Sequence, residues 1–79
     1  MLHLNELKPG QSAVVKHVFG EGTALRRRLL DMGITPKTEV KLVRQAPLGD
    51  PLQLEVRGYE LAMRSSDANL VEVEVQHGH

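Results

Sequence analysis

The sequence predicts an all-β fold, a small SH3-like barrel of five strands with one α-helix between the first and second strands. Its 79 residues suit one small domain, and four segments alternate apolar and polar residues as half-buried strands do. Only one segment has helical periodicity. Because one short helix cannot cover the apolar face of an open sheet, we expect the sheet to close on itself. A 3₁₀ turn before the last strand is typical of SH3-like barrels.

The first strand is predicted over residues 12–19, after a turn built on Pro9 and Gly10. The strand is rich in β-branched residues. Val14, Val15 and Val18 cannot all face the same side of a regular strand, so we expect a β-bulge within it.

The helix is predicted over residues 23–32, and its C-terminal end is the clearest local signal in the chain. Thr23 can cap its N-terminus. Gly33 occupies the position at which a left-handed residue ends a helix, and Pro36 prevents continuation. The stripe expected to face the barrel recurs at i, i+4 and i+7: Leu25, Leu29 and Met32.

Four alternating strands follow the helix, at residues 38–46, 52–57, 59–63 and 70–75. A rigid loop at residues 47–51, with a proline at each end, joins the first two, and a turn at Arg57 and Gly58 joins the next two. Residues 65–69 suit one turn of 3₁₀ helix. We expect a single domain over residues 1–76 and a flexible tail over residues 77–79.

Composition excludes several classes of protein. The chain has no cysteine, which excludes disulfides, thiolate metal sites and cysteine nucleophiles, and favours a reducing cytoplasm. No apolar run approaches the ~18 residues of a membrane span, and we expect no signal peptide. Ten basic residues balance ten acidic ones, although residues 1–44 carry a net +4 and residues 45–79 a net −4.

Candidate catalytic and metal-binding residues are few. The sequence lacks a P-loop motif, and its serines have no histidine partner nearby, so we predict no enzymatic activity and no cofactor. His77 and His79 could chelate a transition metal ion if the tail became ordered, with His3 as a further ligand. The alternative is a solvated tail. His17 on the first strand is either a packed or surface residue or a metal ligand.

A docking surface is the more informative possibility. Arg26 and Arg27 flank Leu30, which lies about 100° around the helix from Leu29, so an apolar anchor sits in a charged rim. The alternatives are a solvated basic face, a nucleic-acid surface, or packing of Leu30 under a loop. Nucleic acid is disfavoured because Phe19 and Tyr59 are the chain's only Phe, Tyr or Trp residues and both fit strand patterns.

The rigid loop is the second part of this surface. Leu48 at its tip, held between two prolines, would lose little conformational entropy on binding. The alternative is a stiff connection with no binding role. We therefore predict six partner-binding residues: Arg26, Arg27, Leu29, Leu30, Leu48 and Asp50.

Three segments carry a resemblance to a known family. They are RRLLDMGITP at residues 27–36, APLGDP at residues 46–51 and EVRGYEL at residues 55–61. In this order they resemble the bacterial ferrous iron transport protein A family (FeoA), and the resemblance extends over residues 4–75. Members often have glycine after the proline that follows the helix, whereas this chain has Lys37.

The resemblance implies a cytoplasmic SH3-like domain without catalytic activity. Its partner would be ferrous iron transport protein B, the membrane GTPase that imports Fe²⁺, and the domain would be peripheral to the inner membrane through that partner. The alternatives are an SH3-like nucleic-acid-binding module or a metal-responsive regulatory domain.

Overall fold

The computed structural model describes residues 1–76, and within them the chain forms one antiparallel sheet of six strands with two helices. The sheet order is β1-β6-β2-β3-β4-β5. The elements are β1 (Leu2–His3), β2 (Ser12–Val18), α1 (Ala24–Asp31), β3 (Glu39–Gln45), β4 (Leu52–Val56), β5 (Tyr59–Met63), α2 (Ser65–Ala68) and β6 (Val71–Val75). The prediction of a mainly β fold with one helix between the first two long strands is confirmed.

Three details differ from the prediction. The expected closure of the sheet is not made by strand pairing, because within residues 1–76 β1 and β5 are edge strands that do not pair with each other. The sixth strand is β1, which pairs with β6 through Leu2 and His3 and is too short to show any alternation. The turn before the last strand is α-helical, because the N–H of Ala68 bonds to the carbonyl of Arg64, four residues back. The predicted tail, residues 77–79, lies outside the described residues.

The predicted bulge lies in β2. The pairing of β2 with β6 shifts between Val15 and His17, so that Lys16 is the extra residue. Val15 and Val18 are consequently both buried although they are three residues apart. Alternation on β3, β4 and β6 supplies half of the remaining buried core: Val40, Leu42, Leu52, Leu54, Val56, Val71 and Val73.

Both ends of α1 follow from local sequence. The hydroxyl of Thr23 accepts the N–H of Arg26 at 3.2 Å. Gly33 has φ +96°, its N–H bonds to the carbonyl of Leu30, and the N–H of Ile34 bonds to the carbonyl of Leu29, each at 3.0 Å. This pair of bonds is a Schellman motif, so the predicted helix ending is confirmed.

Lys37, where this chain departs from the family that it resembles, lies in the turn after α1. Lys37 has φ +75°, a left-handed conformation that glycine adopts without strain. Its N–H bonds to the carbonyl of Val15 at 2.7 Å, which ties this turn to β2. The backbone therefore takes the shape that suits glycine although the residue is a lysine.

Candidate functional site

The helical part of the predicted docking surface is only partly available to a partner. Arg27 is exposed, whereas Arg26 is half-buried and its Nε donates a hydrogen bond to the carbonyl of Val18 at 2.8 Å. Leu30 is half-buried and packs against the core. Leu29 is 1% exposed, so its side chain is a core residue and the prediction that it contacts a partner is wrong.

The loop between β3 and β4 presents a very different residue. Leu48 is fully exposed, at 105% relative accessibility, and has φ +72°. A left-handed conformation costs a non-glycine residue about 1–2 kcal/mol. Burial of the side chain does not offset this cost, because Leu48 is turned wholly into solvent.

Hydrogen bonds brace the loop on both sides of Leu48. The side-chain amide of Gln45 donates to the carbonyl of Gly49 at 3.1 Å, and the N–H of Ala46 bonds to the carbonyl of Pro51 at 3.0 Å. The carboxylate of Asp50 accepts the N–H of Ser65 at 2.6 Å, in the first turn of α2. Asp50 therefore links the loop to α2, and Leu48 projects from a rigid support.

Arg27 lies on α1, and Leu48 lies in the 3₁₀ turn Pro47–Gly49. The role of both residues in binding remains a prediction.

One polar cluster that pattern reading misses holds the end of α1. The guanidinium of Arg57 donates to the hydroxyls of Thr35 and Thr38 at 3.1 and 2.9 Å, and the Tyr59 hydroxyl donates to the carbonyl of Met32. These residues are far apart in sequence, so no local spacing signals the cluster. It fixes α1 against the β4–β5 hairpin and thereby positions Arg27.

A second cluster joins the base of α1 to β2. The imidazole Nε2 of His17 lies 2.8 Å from a carboxylate oxygen of Glu21, and the ring packs edge-on against Phe19 with centroids 4.5 Å apart. A hydrogen bond from its own backbone lowers the pKa of Glu21 below its ordinary value; desolvation opposes this shift, and His17 and Arg26 add to it. An i, i+4 spacing signals a side-chain pair only on a helix, so it could not have suggested the contact of His17 on β2 with Glu21 in the following turn.

The histidines do not assemble a metal centre among residues 1–76, where no group of three or more His, Asp or Glu side chains is arranged to hold a metal ion. His3 lies near Phe19, with ring centroids 6.4 Å apart. His77 and His79 lie outside the described residues, so metal binding by the tail stays a prediction.

The surface cavity beside the β4–β5 turn does not have the character of a substrate pocket. It encloses about 510 Å³ and is lined by residues of both charges, among them Lys37, Lys41, Arg57, Glu39 and Glu55. Small-molecule sites are mainly apolar with a few convergent polar groups. The mixed charges fit a solvated surface.

Comparison with known proteins identifies the family. The FeoA domain model matches residues 2–75. The chain is 36% identical over 74 residues to the Fe(2+) transport protein A/Fe(2+) transporter FeoB fusion protein of Porphyromonas gingivalis; this alignment covers 94% of the chain but 9% of the fusion protein. None of the helices in the described part of the chain has the length and apolarity needed to span a membrane.

Two solved structures agree in fold and sequence. The FeoA protein of Chlorobium tepidum is 40% identical, with a TM-score of 0.87 over 99% of this chain and 73% of that one. FeoA of Stenotrophomonas maltophilia, solved with zinc and described as a prokaryotic SH3 domain protein, is 35% identical, with a TM-score of 0.83 over 94% of this chain and 91% of that one. This chain therefore belongs to the FeoA family, whose SH3-like domains are accessory to ferrous iron transport.

Proposed function

We propose that this domain is a non-catalytic cytoplasmic regulator that binds the membrane GTPase FeoB, the ferrous iron transporter, at the inner membrane. The observation that carries the proposal is Leu48, a fully exposed leucine held in a left-handed conformation on a braced loop. Strained residues of this kind concentrate at functional sites. The fusion of a homologous FeoA segment to FeoB in Porphyromonas gingivalis supports FeoB as the partner.

Leu48 and Arg27 would have different roles in docking. Leu48 would enter an apolar pocket of the transporter, and its rigid support limits the conformational entropy lost on binding. Arg27, exposed on α1, would face acidic residues and mainly accelerate association. Regulation requires that the domain bind one conformational state of FeoB more tightly than the other, because a ligand shifts an equilibrium only through differential affinity.

Nucleic-acid binding is less well supported. The ring of Phe19 packs against His3 and His17, which leaves Tyr59, 45% exposed, as the remaining aromatic ring among residues 1–76, whereas single-strand binders stack several bases on several rings. The Nε of Arg26 donates to the carbonyl of Val18, so this donor is not available to a phosphate group.

The test compares fold stability with transporter binding in one pair of variants. Leu48→Asn removes the apolar side chain, and asparagine tolerates positive φ better than leucine does, so we expect equal or higher stability. Binding to detergent-solubilised FeoB, measured with and without GTP, should weaken by about tenfold or more. Leu48→Met retains an apolar side chain at the same position and should bind nearly as the unmodified protein does.

Arg27→Glu tests the helical contact, with Arg28→Glu as its control because that arginine is also exposed on α1 but points about 100° away. We expect Arg27→Glu to slow association and to change its salt dependence, and Arg28→Glu to do neither. Unaltered affinity in both Leu48→Asn and Arg27→Glu would reject this surface as the FeoB interface.

A further inference from the structure

Strand β5 has a free outer edge. It is the last strand on one side of the sheet, and within residues 1–76 no strand pairs with that side. Val56 and Tyr59 face each other across a two-residue turn whose residues both have positive φ. In such a hairpin this pair exchanges backbone hydrogen bonds, and hydrogen-bonded pairs then recur at every second residue of β5. The backbone N–H and C=O groups of Glu60 and Ala62 therefore point away from β4.

The charges along this edge lack partners within the domain. Glu60 stands directly opposite Glu55, a like-charge pair that disfavours the contact. Arg64 is exposed and continues the extended backbone beyond β5 by one residue, with φ −68° and ψ 143°. Its carbonyl accepts the N–H groups of Asp67 and Ala68 in α2, so its charged side chain, and not its carbonyl, is available at the edge. Within the described part of the chain, neither Glu60 nor Arg64 belongs to an ion pair, and Glu60 has only the side-chain amide of Gln53 at 3.1 Å.

We propose that the β5 edge pairs with the β5 edge of a second copy of this chain. In the antiparallel register that places Ala62 opposite Ala62 of the second copy, Glu60 of each chain lies opposite Arg64 of the other. Both ion pairs form in the same register. Residues 60, 62 and 64 are acidic, neutral and basic, so an antiparallel second copy places its basic residue opposite the acidic one and its acidic residue opposite the basic one. The like-charge contact with Glu55 is thereby compensated.

The same register also continues the apolar face. Leu61 is half-buried, and it would lie opposite Met63 of the second copy, so the two cores would join across the new strand pair. The edge is short, and the contact would bury less than the ~1,200 Å² of a stable interface, so the dimer is weak and concentration-dependent. This inference does not depend on FeoB binding.

Sedimentation equilibrium on the purified chain between about 10 μM and about 1 mM tests the proposal. We expect a monomer–dimer equilibrium in this range. Glu60→Arg and Arg64→Glu should each weaken the dimer by about tenfold or more, and the combined exchange should restore it. Glu39→Arg makes the same charge change away from the edge and should leave dimerisation unaltered.

A backbone variant tests the strand pairing itself. Ala62→Pro removes an N–H that points away from β4, so the domain should stay folded by circular dichroism while the dimer disappears. A wild-type chain that remains monomeric up to about 1 mM would overturn the proposal. The proposal would also be overturned if the combined Glu60→Arg and Arg64→Glu variant were folded but failed to restore dimerisation. This charge-exchange experiment is the decisive test if Ala62→Pro does not fold.

Discussion

Replacing Gly33 by valine should destabilise the domain by about 2–5 kcal/mol, the sum of a conformational and a contact contribution. Gly33 has φ +96°, and a left-handed conformation costs an L-residue about 1–2 kcal/mol, more when it is β-branched. An added Cβ would lie 3.4 Å from Cδ and Nε of Arg57. The valine methyl groups would displace this guanidinium and weaken its two hydrogen bonds to threonine hydroxyls, each worth about 0.5–1.5 kcal/mol.

Thermal unfolding and urea titration measure this effect, since each kcal/mol moves the Tm of a domain of this size by about 4–8 °C. Gly10→Val is the matched control, because Gly10 has a similar φ of +91° but nothing within 4 Å of an added Cβ. The control carries the conformational cost alone, so Gly33→Val should cost at least about 1 kcal/mol more. Equal costs in the two variants would show that the Arg57 contact does not support the helix end.

The remaining predictions concern the core, the loop at residues 47–51 and the loss of stability at acid pH. Leu29→Ser should lower the free energy of urea unfolding by about 3 kcal/mol or more, because it leaves a cavity at a buried site and adds a hydroxyl. Leu30→Ser should lower it by about 1 kcal/mol, because Leu30 is half-buried. Equal losses would contradict the difference in burial. Asp50→Ala should cost about 1 kcal/mol by freeing the N–H of Ser65, and Asp50→Asn, which keeps an acceptor oxygen, should cost less. The pKa of the Glu21 carboxyl is lower in the folded domain than its ordinary value of 4.5. Its contribution to the free energy of unfolding is therefore fully present above pH 4.5 and is lost as the pH falls through the folded pKa. Glu21→Gln should therefore flatten the pH dependence of stability in that acid range, and an unchanged dependence would rule out this coupling.

The sequence allowed prediction wherever a feature depends on neighbouring residues. The bulge in β2, the Schellman ending at Gly33 and the alternation of β4 all follow from spacing within a few residues. β1 was missed because its pairing with β6 joins opposite ends of the chain. The burial of Leu30 and the engagement of Arg26 with Val18 depend on how α1 sits on the barrel, which no local pattern specifies.

Three non-glycine residues among residues 1–76 have positive φ, and hydrogen bonds hold the turn at each of them. Lys37 gains a backbone hydrogen bond to β2, and the Arg57 side chain bonds to two threonines while its backbone forms a tight hairpin turn. Leu48 shares their strained conformation, yet its side chain is fully exposed.

A stable fold alone would favour glycine or asparagine at position 48, since both tolerate φ near +72° better than leucine does. A leucine there costs about 1–2 kcal/mol of conformational strain, and its large apolar side chain contributes no burial to folding. Burial of the side chain against a partner would supply the stabilisation that folding does not. The left-handed conformation is held by the loop's own hydrogen bonds, from the N–H of Gly49 to the carbonyl of Ala46 at 2.9 Å and from the side-chain amide of Gln45 to the carbonyl of Gly49 at 3.1 Å, whereas burial does not account for the leucine side chain. That exposed side chain is the physical reason for proposing this loop as the FeoB contact.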